Sequence, residues 1–199
     1  MTIRDRVLLL VTGLLAAYQI AVGIDGLATL PIFAYTIAFG VLLVAALLLL
    51  LLGFDVLDSP LVVIVSTVIP LSLSLGLVWE QVPAYRSVYL AFVIAGFLAV
   101  LATRLRPPRS RLPVLVLAIV HGIAGLTIFL LPILLGLLGQ ARPAFSLVGV
   151  GGALIGAGGL LLALLKAGRP LLSRQTILRL FPGLLCLMTT AFVAGFALR

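Results

Sequence analysis

The chain has 199 residues, 64% of them hydrophobic and 9% charged, with a formal net charge of +8 and a mean hydropathy of +1.41. A soluble domain is about half apolar and about a quarter charged, so this composition excludes an ordinary water-soluble fold. The apolar residues run in blocks of roughly 17 to 25, long enough to cross a hydrocarbon layer about 30 Å thick at about 1.5 Å per residue.

The expected fold is therefore an all-α integral membrane protein, a single polytopic domain over residues 1–199, with seven transmembrane helices at 7–23, 29–53, 60–79, 87–103, 113–136, 144–166 and 178–198. Arg4 and Arg6 ahead of the first apolar run give it the look of a signal peptide; it is read as a retained first helix. Pro31, Pro60, Pro113 and Pro143 lie near span starts, where a missing N–H costs little. Pro70, Pro132 and Pro182 lie within spans and are expected to kink them.

Between the second and third spans, Asp58 or Ser59 ahead of Pro60 reads as a helix N-cap. Trp79, Tyr85 and Tyr89 around the next connection look like an interfacial aromatic belt, with Glu80 and Arg86 as an alternative pore mouth or partner contact. His121, the single histidine, falls within the fifth span beside Gly122 and Gly125. A membrane-buried imidazole suggests an axial ligand to a flat macrocycle or a proton acceptor; the simpler reading is a neutral histidine hydrogen-bonded to a neighbouring helix. The single cysteine, Cys186, has no disulfide partner and reads as a small buried hydrophobe.

The sixth span contains GVGGALIGAGG at 149–159. As a dinucleotide loop it fails, because the third glycine of G-x-G-x-x-G would fall on Leu154 and no strand precedes it. Gly149, Gly152, Gly156 and Gly159 instead form one helical stripe, expected to be the closest helix contact in the bundle, one of three related contacts with Gly96 and Ala45, or the seam for a partner.

Basic residues distribute unevenly among the connections. Arg4, Arg6, Arg104, Arg106, Arg109, Arg111, Lys166, Arg169, Arg174 and Arg179 collect on the side of the N-terminus, against Arg86, Arg142 and Arg199 on the other. By the positive-inside rule the N-terminus is cytoplasmic and the C-terminus outside. This explains the net charge without nucleic acid. The expected location is the cytoplasmic membrane of a bacterium or archaeon, with Arg104, Arg106, Arg109, Arg111, Arg169, Arg174 and Arg179 facing anionic head groups or a partner.

Two of the basic loops share a pattern: RPPRSRLPVL at 106–115 and RPLLSRQTIL at 169–178. Alignment on Ser59, Ser110 and Ser173 places Ala45, Gly96 and Gly159 fourteen residues upstream and Gly76, Thr127 and Thr190 seventeen residues downstream. The chain thus reads as one leading helix followed by three tandem two-helix hairpins, although similar loops also arise under one topology rule.

Asp5, Asp25, Asp55, Asp58 and Glu80 all lie outside the spans or at their ends. With no carboxylate in the bilayer core, an ion-driven pump is not expected. Neither is an enzyme: there is no catalytic set, no metal-ligand cluster and no phosphate loop. Gln19, Ser72, Ser74, Thr127, Thr189 and Thr190 share a level about 17 to 21 Å from the basic side, a candidate polar pocket or simply hydrogen-bonded helix residues. Two functions are carried forward. The first is a non-enzymatic accessory or scaffold subunit packing against membrane proteins, copies of itself, lipids or a pigment. The second is a small permease or channel for an uncharged or anionic solute, using that polar level.

Overall fold

The computed structural model describes residues 1–105, 112–166, 168 and 170–199. Among the described residues, seven α-helices are long and apolar enough to span a membrane, and no strand occurs. The helices are α1 (Ile3–Val22), α2 (Thr29–Leu52), α3 (Pro60–Gln81), α4 (Arg86–Arg104), α5 (Leu112–Leu137), α6 (Ser146–Lys166) and α7 (Arg174–Ala197). Short 3-10 turns at Phe54–Asp58, Pro83–Tyr85 and Pro143–Phe145 lead into α3, α4 and α6.

Local chemistry sets several ends. At the start of α1, Thr2 Oγ1 accepts from the Asp5 N–H at 3.2 Å while the Asp5 carboxylate accepts from the Thr2 N–H at 2.7 Å, a reciprocal capping box. Ser173 Oγ accepts from the Thr176 N–H at 3.1 Å, so α7 begins at Arg174, four residues before the expected span. Ser59 occupies the N-cap position of α3 but makes no side-chain capping bond. Gly23 and Gly53 stop α1 and α2 with φ of +72° and +78°, a backbone conformation that side-chain-bearing residues disfavour.

Six helices close a ring in the order α1, α2, α3, α5, α6, α7, with α7 returning to α1; α4 packs outside it against α3 and α5. Only 11% of the most apolar window of α4 is buried, against 56% for α3. The pairs α2–α3, α4–α5 and α6–α7 each pack as neighbours. The first helix, read as retained, contributes Leu9, Thr12, Gly13 and Ala16 to the interior. Below, "basic end" means the end with the N-terminus and the arginine-rich connections, and "far end" its opposite.

Side chains fill the ring. Towards the far end Phe196 meets Tyr35 at 4.7 Å, Phe39 at 6.2 Å and Phe145 at 6.3 Å between ring centroids, and all four are buried. Leu73, Leu77, Ile128, Val148 and Phe192 complete this cluster. Pro70, Pro132 and Pro182 are buried within their helices, so any carbonyl they release faces protein rather than lipid. Outward lie large apolar side chains such as Leu14, Leu51, Val88, Leu126 and Leu187, an apolar girdle far larger than a soluble monomer tolerates.

The glycine stripe of α6 divides in two. A Cβ on Gly149 would lie 2.6 Å from the Phe129 carbonyl oxygen, and one on Gly152 would lie 2.8 Å from the Phe129 backbone nitrogen. Here α5 and α6 touch backbone to backbone. On another face, Gly151 lets the Phe192 ring approach to 2.6 Å of the same construction. Gly156 and Gly159, however, are exposed and have no atom within 4 Å of a Cβ position. The expectation that the whole stripe forms the closest contact is therefore corrected: its far half packs and its basic half does not.

The physical reason lies on α5. Extending the antiparallel register of Gly149 with Ile133 and Gly152 with Phe129 sets Gly156 opposite Gly125 and Gly159 opposite Gly122. None of these last four glycines has an atom within 4 Å of its Cβ position. Two faces without side chains leave no knob for either groove, while Val120 and Ala124 hold this half of α5 against Leu71 and Val100. The helices part, leaving a cleft.

Candidate functional site

The six residues of the expected polar level do not form one site; of them, Ser74 and Thr127 meet, through the Tyr89 hydroxyl. Gln19 is buried on α1, and its Nε2 donates to the Gly23 carbonyl at 2.8 Å, sealing the end of its own helix. Thr189 is buried and donates to the Leu185 carbonyl at 2.7 Å; Thr190 is exposed on the outside of the bundle and donates to the Cys186 carbonyl at 2.8 Å. Ser72 is half-buried, and buried Ser74 donates to the Leu71 carbonyl at 3.1 Å. Such one-turn-back bonds satisfy a hydroxyl without any solute.

One real link emerges away from the axis. Tyr89 donates to Thr127 Oγ1 at 3.1 Å while Thr127 donates to the Ile123 carbonyl at 2.9 Å, and Ser74 also faces the Tyr89 hydroxyl. Tyr89 therefore ties α4 to α5 and α3 rather than sitting only in an interfacial belt. Beside Gln19, a crevice lined by Gly23, Ile32, Tyr35 and Phe39 has about 20 Å³ of space, room for a single water.

His121 is half-buried on α5. Its Nδ1 is buried without a hydrogen-bond partner; the Leu117 carbonyl, one turn back, comes near without reaching hydrogen-bond geometry. The simpler expectation, a hydrogen bond to a neighbouring helix, is not met at Nδ1. Arg104, close enough to influence the imidazole, likewise carries a buried Nε without a partner. These are the two such side-chain atoms among the described residues. His121 follows Val120 on α5 and has Arg104 of α4 as its charged neighbour.

At the far end, Arg86 Nε donates to the Trp79 carbonyl at 2.6 Å and its guanidinium lies 5.6 Å from the indole centroid. This ties Arg86 to Trp79. Cys186 is free and half-buried. Of the basic residues, Arg174 pairs with Asp58 at 3.4 Å, and Arg179 is exposed. Arg106, Arg109, Arg111 and Arg169 lie outside the described residues, as do Ser110 and most of the first copy of the shared loop pattern.

The positions aligned by that pattern occupy different surroundings. A Cβ on Gly96 would lie 3.2 Å from Val120 whereas one on Gly159 would meet nothing; Gly76 holds the Tyr35 ring, Thr127 binds Tyr89 and Thr190 faces outward. Sequence reasoning missed the Asp58–Arg174 pair, whose partners are 116 residues apart and carry no local signal. Tyr89 with Thr127 was legible in principle, since the register that pairs Gly96 with Val120 on α4 and α5 also pairs these two. No group of three or more potential metal ligands occurs among the described residues. Comparison with known proteins finds no matching family, characterised relative or solved structure.

Proposed function

We propose that this chain is a non-enzymatic integral membrane protein, N-terminus cytoplasmic and C-terminus outside, that serves as an accessory or scaffold subunit. The observation that carries the proposal is the cleft between α5 and α6. The α5–α6 register sets Gly122 and Gly125 opposite Gly156 and Gly159, none of the four has a neighbour at its Cβ position, and the core beside them is packed. In a membrane, helix association relies on close backbone approach across small residues. A pair of flat, unfilled glycine faces suits a transmembrane helix of a partner, or the edge of a planar pigment.

The packed aromatic centre counts against the permease reading. Tyr35, Phe39, Phe192 and Phe196 occupy the axis, and the hydroxyls expected to line a path are bonded within their own helices.

The test is purification in a mild detergent of the wild type beside Gly156→Leu. The Cβ of a Leu at Gly156 meets no atom of its own chain within 4 Å, and an unchanged thermal stability is the expected check that the monomer is intact. A stoichiometric partner, a second copy or a pigment absorbance that accompanies the wild type and leaves with the substitution supports the proposal. A colourless wild-type monomer identical in composition to the variant removes it. Orientation is tested separately: a cysteine at Asp25 in a Cys186→Ser background reacts with an impermeant maleimide from outside, and reaction only after permeabilisation reverses the topology.

A further inference from the structure

At the basic end, the turn Phe54–Asp58 and the facing ends of α6 and α7 line a half-open cavity of about 300 Å³. Phe54 and Leu57 of the turn, Leu162 and Leu165 of α6, and Leu178 of α7 make an apolar wall. Asp58 and Arg174 stand at the rim. The volume is at the lower limit of ordinary ligand pockets, about 300–1,000 Å³. Protein interiors leave few voids larger than a water, and a space lined by Leu and Phe stays dry and takes apolar guests.

The rim supplies polarity. Asp58 and Arg174 approach only to 3.4 Å, with 65% and 59% of their side chains exposed. A pair so open to solvent is weakly held, so the guanidinium can exchange this contact for a better anion. A guanidinium grips carboxylate or phosphate with two parallel N–H···O bonds. Ten of the thirteen Lys and Arg residues belong to this end against three of the five acids, Asp5, Asp55 and Asp58, so its net positive charge draws an anionic guest.

We propose that this cavity binds an anionic amphiphile, its apolar chain against Phe54, Leu57, Leu162, Leu165 and Leu178 and its carboxylate or phosphate on Arg174. The inference rests on the membrane-embedded reading, which brings such molecules to this end of the bundle. It does not depend on the partner cleft between α5 and α6.

The test uses the full chain in nanodiscs of neutral phosphatidylcholine, released for native mass spectrometry. Oleate and lysophosphatidylglycerol serve as probes, monoolein as the neutral analogue and inorganic phosphate as the head group alone. The expected result is one saturable adduct of oleate, lysophosphatidylglycerol or both, with the preferred probe separating a fatty-acid from a phospholipid source. Arg174→Gln weakens it about tenfold, the equivalent of one charge-assisted contact. Leu162→Trp, which fills the cavity, abolishes it, and Gly156→Leu leaves it unchanged. If Leu162→Trp does not fold, Leu178→Phe takes its place. Equal binding of monoolein, adduct formation by phosphate alone, absence of a saturable adduct, or undiminished binding in a folded cavity-filled variant overturns the proposal. Loss of the adduct leaves the partner test untouched, because that test reads co-purification at Gly156.

Discussion

Replacing Gly152 by Ala and, separately, Gly156 by Ala compares the same chemical change on one helix stripe. At Gly152 the new Cβ falls 2.8 Å from the Phe129 nitrogen and 2.9 Å from the Ile128 carbonyl carbon, both backbone atoms. No rotamer change relieves a clash with backbone. To reach ordinary contact at 3.4 Å, α5 and α6 must separate by roughly half an ångström along their tightest stretch. Overpacking of this kind costs about 1–3 kcal/mol. At Gly156 the Cβ meets nothing within 4 Å, and Ala is the better helix former by up to about 1 kcal/mol. Unfolding in a mixed-micelle titration should therefore rank Gly152→Ala below the wild type and Gly156→Ala level with it or above. Equal destabilisation by both, or a larger loss at Gly156, refutes the division of the stripe.

Three further outcomes follow from the packing. Phe196→Ala removes the ring shared by Tyr35, Phe39 and Phe145 and should cost about 3–5 kcal/mol in the same titration; a loss under about 1 kcal/mol means that the centre is not packed as described. Tyr89→Phe deletes the donation to Thr127 and should cost about 0.6 kcal/mol, a typical value between membrane helices. In a double-mutant cycle with Thr127→Val the two losses should be less than additive. His121→Leu removes a buried nitrogen that has no partner, and since such a group costs about 1–3 kcal/mol, the purified protein should be as stable or more so. A clear loss of stability instead shows that the imidazole is engaged.

Helix number and bounds were legible because the signal is coarse and redundant. Blocks of spanning length and prolines near several starts mark the same limits, and the largest difference, four residues at Ile3 and at Arg174, comes from caps by Thr2 and Ser173. Neighbour relations were less legible. An all-apolar helix has no face that announces its partner, so nothing in the sequence placed α4 outside the ring or brought Phe145 and Phe196 together. The polar level failed for a related reason: depth along a helix is set by counting, but rotation about it is set by packing, and that turned Thr190 outward while Thr189, its neighbour, faced in.

The glycines show most clearly what a pattern on one helix leaves open. Spacings of three and four place Gly149, Gly152, Gly156 and Gly159 on one stripe, but whether a stripe packs depends on what is offered to it. Phe129 and Ile133 offer side chains and backbone to the first two; Gly122 and Gly125 offer only their own flat surface to the others. For glycine to meet glycine, the axes would have to converge further than where Gly149 and Gly152 already touch. Val120 and Ala124 pull this half of α5 the other way, into the cluster with Leu71 and Val100. A third surface, inserted from outside, is the remaining means of covering both faces at once. The same motif thus serves closure at the far end and leaves open glycine faces at the basic end, the place where the proposed partner would sit.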